Sequence, residues 1–243
     1  MLFIMNSSNW VFLVMANALL FFVLKFNDDL NHKKIINFIS IQQIKLYLIL
    51  VSVFLIEYYF INNLYYNIYG ASVRSLIVSL YVFLISKNYF NSLFLSKIDF
   101  KKSLIIALIS SVFAFLILNL QEYLFDLVNR KLSIENGVYL SDYKILVGFV
   151  FYATLPAISE EIFFRGLIFD KLKLIYSVKN SIIISSILFY LMHLVFGTFL
   201  SFLYILPLGI FFGYLRSKYN NLLYPIISHF FYNLVVFIYP IIK

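Results

Sequence analysis

Two stretches of the chain, Leu104–Leu118 and Phe199–Leu215, are almost wholly apolar, broken only by small Ser and Gly residues and one Pro. Neither shows the alternation of polar and apolar residues that a membrane barrel strand needs. A backbone that enters lipid must satisfy its own N–H and C=O groups, and a helix does so within a single segment. The expected fold class is therefore an all-α membrane protein, a polytopic bundle of about eight transmembrane helices.

Composition excludes the soluble alternatives. Of 243 residues, 63% are hydrophobic and only 12% charged, with a mean hydropathy of +0.94. Ordinary soluble domains carry about 25% charged residues, and a soluble globule of this length could not hide so much apolar surface. A disordered chain is excluded by the same numbers. Eight spans are expected at Trp10–Leu24, Ile44–Ile61, Ala71–Ile85, Leu104–Leu120, Ile145–Ile158, Ile182–Phe196, Phe199–Leu215 and Leu222–Ile241. Several fall short of the roughly 20 residues that cross a bilayer, so tilt, thinning or neighbouring helices must make up the difference. The fifth has room to continue as a helix past Glu160 toward Phe169. Met1–Asn9 carries no positive residue, so the start reads as a retained first span rather than a signal peptide.

Charge sets the orientation. Of the 19 Lys and Arg residues, 14 fall on one face of this arrangement, Arg165 and Arg216 among them. The other five are Arg74, Arg130, Lys131, Lys144 and Lys243. Positive loops stay in the cytoplasm, so both termini are expected outside. The excess of +8 then meets anionic lipid rather than nucleic acid, for no aromatic–basic module or compact basic domain is present. Cysteine is absent, which removes thiolate nucleophiles, disulfides and Cys-based metal sites. The abundance of Phe, Tyr, Ile, Asn and Lys together reads as the imprint of an AT-rich genome, pointing to a bacterial plasma membrane. The longest polar stretch, Glu122–Lys144, is too short for a domain and is expected to be an amphipathic connector.

Polar residues inside apolar spans are costly, which makes them candidates for function. Three clusters lie in the last 85 residues. In Ser159–Gly166, Glu161 and Arg165 stand four apart on one helical face, where they can pair. Glu160 is turned about 100° away and freed for another task. Read blandly, this is a polar helix end with a surface ion pair. His193 lies well along an otherwise apolar span with Phe189 one turn before it, and it could equally be a packing residue. His229 and Asn233 are four apart and can point donors into one cavity, as an oxyanion requires. They could also be the interhelical polar contacts common in membrane bundles.

Together, in order, the three clusters resemble the motifs of the CPBP family of intramembrane proteases, related to the CAAX prenyl endopeptidase and also called Abi. The motifs Glu-Glu-x-x-x-Arg, Phe-x-x-x-His and His-x-x-x-Asn stand here as Glu160-Glu161-x-x-x-Arg165, Phe189-x-x-x-His193 and His229-x-x-x-Asn233. The resemblance covers about residues 145–240. It implies a domain division into N-terminal transmembrane helices and connectors (1–144) and catalytic-type helices (145–243), with the active site in a cavity within the bundle. It implies catalytic roles for Glu160 and His193, which would hold a water and drive it onto a peptide carbonyl. Glu160 would be the general base. His229 and Asn233 would stabilise the oxyanion. Glu161, Arg165 and Phe189 would support the site. No metal is favoured. Zinc is the alternative, because Glu160, His193 and His229 would supply three ligands and leave one position open. The implied substrate is a membrane-associated protein or peptide. In a bacterium this suggests a signal peptide, a pheromone or bacteriocin precursor, or a membrane protein. The alternative function is a non-hydrolytic immunity or regulatory scaffold. The Glu160 and His193 side chains are expected within about 5–7 Å of each other, close enough to share one water through two hydrogen bonds of about 2.8 Å. His229 and Asn233 should face that water from the opposite wall. His32, the third histidine, has no partner motif.

Overall fold

The computed structural model describes residues 75–80, 82–84, 98–127, 142–174, 176–194 and 202–242. The first two expected spans lie outside these residues. Among the described residues all regular structure is helical. Helix α1 is Phe100–Leu127. Helix α2 is one continuous rod in which α-helical Asp142–Gly148, Leu155–Glu161 and Phe169–Leu172 alternate with π-helical Phe149–Thr154 and Ile162–Ile168. Helices α3, α4 and α5 are Val178–Leu194, Phe202–Tyr219 and Leu223–Ile242. Residues 75–80 and 82–84 are also helical. Among the described residues three helices, Phe100–Tyr123, Ile145–Leu172 and Leu223–Ile242, are long and apolar enough to cross a membrane.

Helix starts follow local chemistry. Asp99 caps α1 by accepting the Lys102 N–H at 3.2 Å, and Ser177 caps α3 by accepting the Asn180 N–H at 3.3 Å. The turn between α4 and α5 rests on two asparagines. Asn220 takes φ = 47°, a left-handed conformation that asparagine tolerates better than most residues. Asn221 then caps α5 by accepting the Leu223 N–H at 2.8 Å.

The fifth expected span, Ile145–Ile158, does continue as a helix past Glu160, and the rod reaches Leu172. Pro156 explains the first wide turn. Its ring has no N–H and crowds the carbonyl one turn back, which an α-helix cannot accommodate without distortion. The rod instead widens over Phe149–Thr154, with the Leu155 N–H reaching back to the Val150 carbonyl. Helical continuation also buries Arg165, which the charge pattern had put among loop charges; it is fully buried within α2. Arg216, counted the same way, is buried within α4. The positive bias survives without them. Glu122–Leu127, taken for a connector, belongs to α1; the rest of that connector up to residue 141 lies outside the described residues.

The helices alternate in direction, and polar contacts fix their register. Along the parallel pair α1 and α5, the Asp99 N–H donates to the Tyr224 hydroxyl at 3.0 Å. Ser110 and Ser228 share a 2.6 Å hydrogen bond, and the Tyr239 hydroxyl reaches Asn119 and Glu122. Between α3 and α4 the close approach depends on Gly209 and Gly213, small residues four apart. A Cβ at Gly209 would stand 3.2 Å from that of Ser186, and one at Gly213 would stand 3.0 Å from the Ile182 side chain. The buried apolar core runs between α2, α3, α4 and α5, with Phe163, Phe164, Leu188, Phe189 and Phe212 among its members. It encloses the polar residues described next.

Candidate active site

The α-helical segment Leu155–Glu161 carries two adjacent carboxylates into the core, framed by the two π-helical turns. Wide π turns occur frequently at functional sites, because they re-aim side chains that an α-helix would stack. Glu161 is fully buried, and its Oε1 accepts a hydrogen bond from Arg165 Nη1 at 2.9 Å. The intrahelical pair expected from the four-residue spacing is present, in the interior rather than at a surface. Arg165 also donates from Nη2 to the Gly209 carbonyl of α4 at 3.0 Å. Its guanidinium lies over Phe189 at 4.3 Å and Phe212 at 5.2 Å from the ring centres. A buried cation is tolerable on these terms: an anion, a carbonyl and aromatic faces replace water.

Glu160 points elsewhere, as the 100° offset requires. Its Oε2 lies 3.6 Å from His193 Nε2 of α3 and 3.9 Å from His229 Nε2 of α5. These separations are beyond hydrogen-bond range, and Glu160 Oε2 is buried with no hydrogen-bond partner among the described residues. The Glu160–His193 separation lies within the expected 5–7 Å. The two atoms face each other directly, so a water touching both would sit beside their line rather than on it. His229 converges on the same carboxylate oxygen from a third helix.

The far nitrogens of both rings are fixed. His193 Nδ1 lies 2.9 Å from the carbonyl oxygen of Phe189, which can only accept, so Nδ1 carries the hydrogen. His229 Nδ1 lies 2.9 Å from Glu161 Oε1 and donates to that carboxylate. Glu161 Oε1 therefore takes two donors, one from Arg165 and one from His229. The rings are held by packing as well. Phe212 stacks on His229 at 4.9 Å between centroids, and Phe189 packs on His193 at 4.4 Å. Asn233, one turn beyond His229, is half-buried and makes no side-chain hydrogen bond among the described residues.

Depth along the helices also agrees. Because α2 ends at Leu172, Glu160 stands 12 residues, about 18 Å of helix, from that end. His193 stands 15 residues, about 22 Å, from the adjoining start of α3. Had the helix ended at Ile158, the two would lie at different levels.

Glu160, His193 and His229 are the set that would have to ligate zinc. Among the described residues no three or more His, Cys, Asp or Glu side chains are arranged to hold a metal ion. His32 lies outside the described residues. The sequence reading overlooked Gly209, whose carbonyl binds Arg165, and Phe212, which stacks on His229. The Gly209-x-x-x-Gly213 spacing was the available signal for close helix packing.

Residues 142–235 match the family model Rce1-like, described as type II CAAX prenyl endopeptidase Rce1-like. No curated protein and no solved structure matches the chain. The matched segment runs from the first turn of α2 to the middle of α5 and includes all three motifs.

Proposed function

We propose, from the match of residues 142–235 to the type II CAAX prenyl endopeptidase Rce1-like family model, that this membrane protein is an intramembrane endopeptidase. It hydrolyses a peptide bond of a membrane-associated protein or peptide with a water activated by Glu160 and His193. The observation that carries this reading is the convergence of two imidazole Nε2 atoms, from two other helices, on one buried oxygen of Glu160.

The chemistry follows from which atoms can donate. With its hydrogen on Nδ1, a neutral His193 presents a lone pair at Nε2. The Glu160 carboxylate is likewise an acceptor. Two facing acceptors are satisfied by a water that donates one hydrogen to each, leaving an oxygen lone pair aimed at the substrate. As that oxygen bonds to the carbonyl carbon, its proton passes to Glu160, and the carbonyl π electrons move onto oxygen. His229 holds its Nδ1 hydrogen on Glu161, so its Nε2 donates to the oxyanion when the ring is an imidazolium. Glu161 supports that charge much as a buried aspartate supports a catalytic histidine. Asn233 supplies a second donor one turn away. Collapse of the intermediate breaks the C–N bond, and Glu160 returns its proton to the leaving amine. Arg165 and Phe189 hold Glu161 and His193 in place. The setting is a bacterial plasma membrane, with the helices from residue 142 onward carrying the chemistry.

The test is cleavage by protein reconstituted in lipid. The panel holds a prenylated C-terminal peptide, a signal peptide and a bacteriocin-type leader, and products are identified by mass spectrometry. Cleavage by the wild type that is lost in Glu160→Gln supports the reading. Binding without cleavage in both proteins would favour the immunity-scaffold alternative. Activity removed by a chelator and restored by zinc would overturn the metal-free mechanism.

A further inference from the structure

The proposed mechanism leaves one buried cation unused. Arg216 lies near the end of α4, outside all three motifs, and is 4% exposed. A lone arginine at that depth requires partners for every face of its fork, and here they come from three parts of the fold. Its Nε donates to the backbone carbonyl of Arg165 at 3.2 Å, within the π-helical turn of α2. Its Nη2 reaches both carboxylate oxygens of Asp170, at 3.1 and 3.3 Å. Its Nη1 donates at 3.0 Å to the side chain of Asn220, the left-handed residue that turns the chain into α5.

We infer that Arg216 is a positioning residue for the proposed site, locking the π turn that follows Glu160 and Glu161 to the turn that launches His229. The inference rests on the endopeptidase reading for its catalytic consequence, but not for its geometry. Two arginines brace α2 against α4 in opposite senses. Arg165 of α2 grips the Gly209 carbonyl of α4, while Arg216 of α4 grips the Arg165 carbonyl of α2. The second brace therefore acts on the backbone of the residue that pairs with Glu161. Its other arm ends nine residues before His229, at the turn that sets where α5 begins. Lysine cannot replace it, because one ammonium cannot span a carbonyl, a carboxylate and an amide in a fixed fork.

The chain contains no cysteine, so two introduced thiols are the only labelling sites. Leu174 just past α2 is 70% exposed, and Val236 on α5 is 37% exposed. They lie to opposite sides of the Glu161–His229 contact, about 30 Å apart along the bundle at 1.5 Å per residue. Nitroxides at Leu174→Cys and Val236→Cys, read by pulsed electron spin resonance in nanodiscs, report the α2–α5 relation without any substrate. Arg216→Met should shift or broaden that distance by roughly 2 Å, and Asp170→Asn by less. Arg216→Lys should resemble Met rather than wild type. Where the wild type cleaves a member of the panel, kcat should fall about 10- to 100-fold at similar KM, since misplacement of about 1 Å costs that much. Lys218→Met, on the same helix but outside the brace, should leave distance and kcat unchanged. Should Arg216→Met fail to fold, Asp170→Asn and Arg216→Lys carry the test. Unchanged distances in the folded variants would overturn the inference. So would altered distances with wild-type kcat in a cleaving enzyme, which would leave Arg216 a purely structural residue. A wild type that cleaves nothing counts against the endopeptidase reading instead, and the distances alone then decide the brace.

Discussion

Arg165→Met should be among the most costly single substitutions in the bundle. The guanidinium is fully buried and pairs with Glu161 at 2.9 Å. Removing one partner of a buried ion pair strands the other charge, at a cost of about 3–5 kcal/mol. The bond to the Gly209 carbonyl and the contact with the Phe189 face are lost as well. Methionine recovers part of the latter, since its thioether packs well on aromatic rings. The net expectation is a loss of about 4 kcal/mol, a large share of the 5–15 kcal/mol typical of a folded domain. Most of that cost is the stranded Glu161 carboxylate, so the double variant Glu161→Gln/Arg165→Met should recover about 2 kcal/mol or more. Unfolding in mixed micelles, followed by far-ultraviolet circular dichroism, measures the three variants against wild type. The reasoning fails if Arg165→Met lies within 1 kcal/mol of wild type, or if the double variant is less stable than Arg165→Met alone.

Four further outcomes follow. Glu160→Gln keeps the shape of a side chain that makes no hydrogen bond among the described residues, so thermal stability should hold while turnover falls about 10²–10⁴-fold. Asn233→Ala removes one oxyanion donor and should cost about 10²–10³-fold in kcat with little change in KM; an effect confined to KM would refute the assigned role. Gly209→Ala places a Cβ 3.2–3.3 Å from Ser186, Phe189 and Arg165, so overpacking should destabilise by about 1–3 kcal/mol in the same micelle assay. Reporter fusions at Asn91 and Lys243 should give opposite signals, with Lys243 outside; equal signals would remove the eight-span arrangement.

The helical membrane class could be read from the chain alone. Unbroken apolar runs leave a lipid-exposed backbone no other way to satisfy its hydrogen bonds. The Glu161–Arg165 pair could be read too, because a spacing of four fixes two side chains on one helical face wherever the helix lies. The order of the three motifs likewise singled out Glu160, His193 and His229 before any contact between them was known. The helix lengths were less legible. The fifth span could be placed only at Ile145–Ile158 with room to continue, whereas the rod absorbs Pro156 in a π turn, pairs Arg165 internally and reaches Leu172. The arrangement across helices belonged to the tertiary structure. Nothing local to His229 says that its Nδ1 binds Glu161, 68 positions away, rather than a residue on its own helix. Nor does the sequence near Arg216 reveal that it grips the backbone of Arg165. Such contacts depend on how closely α2, α4 and α5 approach, which small residues such as Gly209 and the left-handed turn at Asn220 determine. Local spacing fixes which face of its own helix a side chain occupies; only packing decides what stands opposite it.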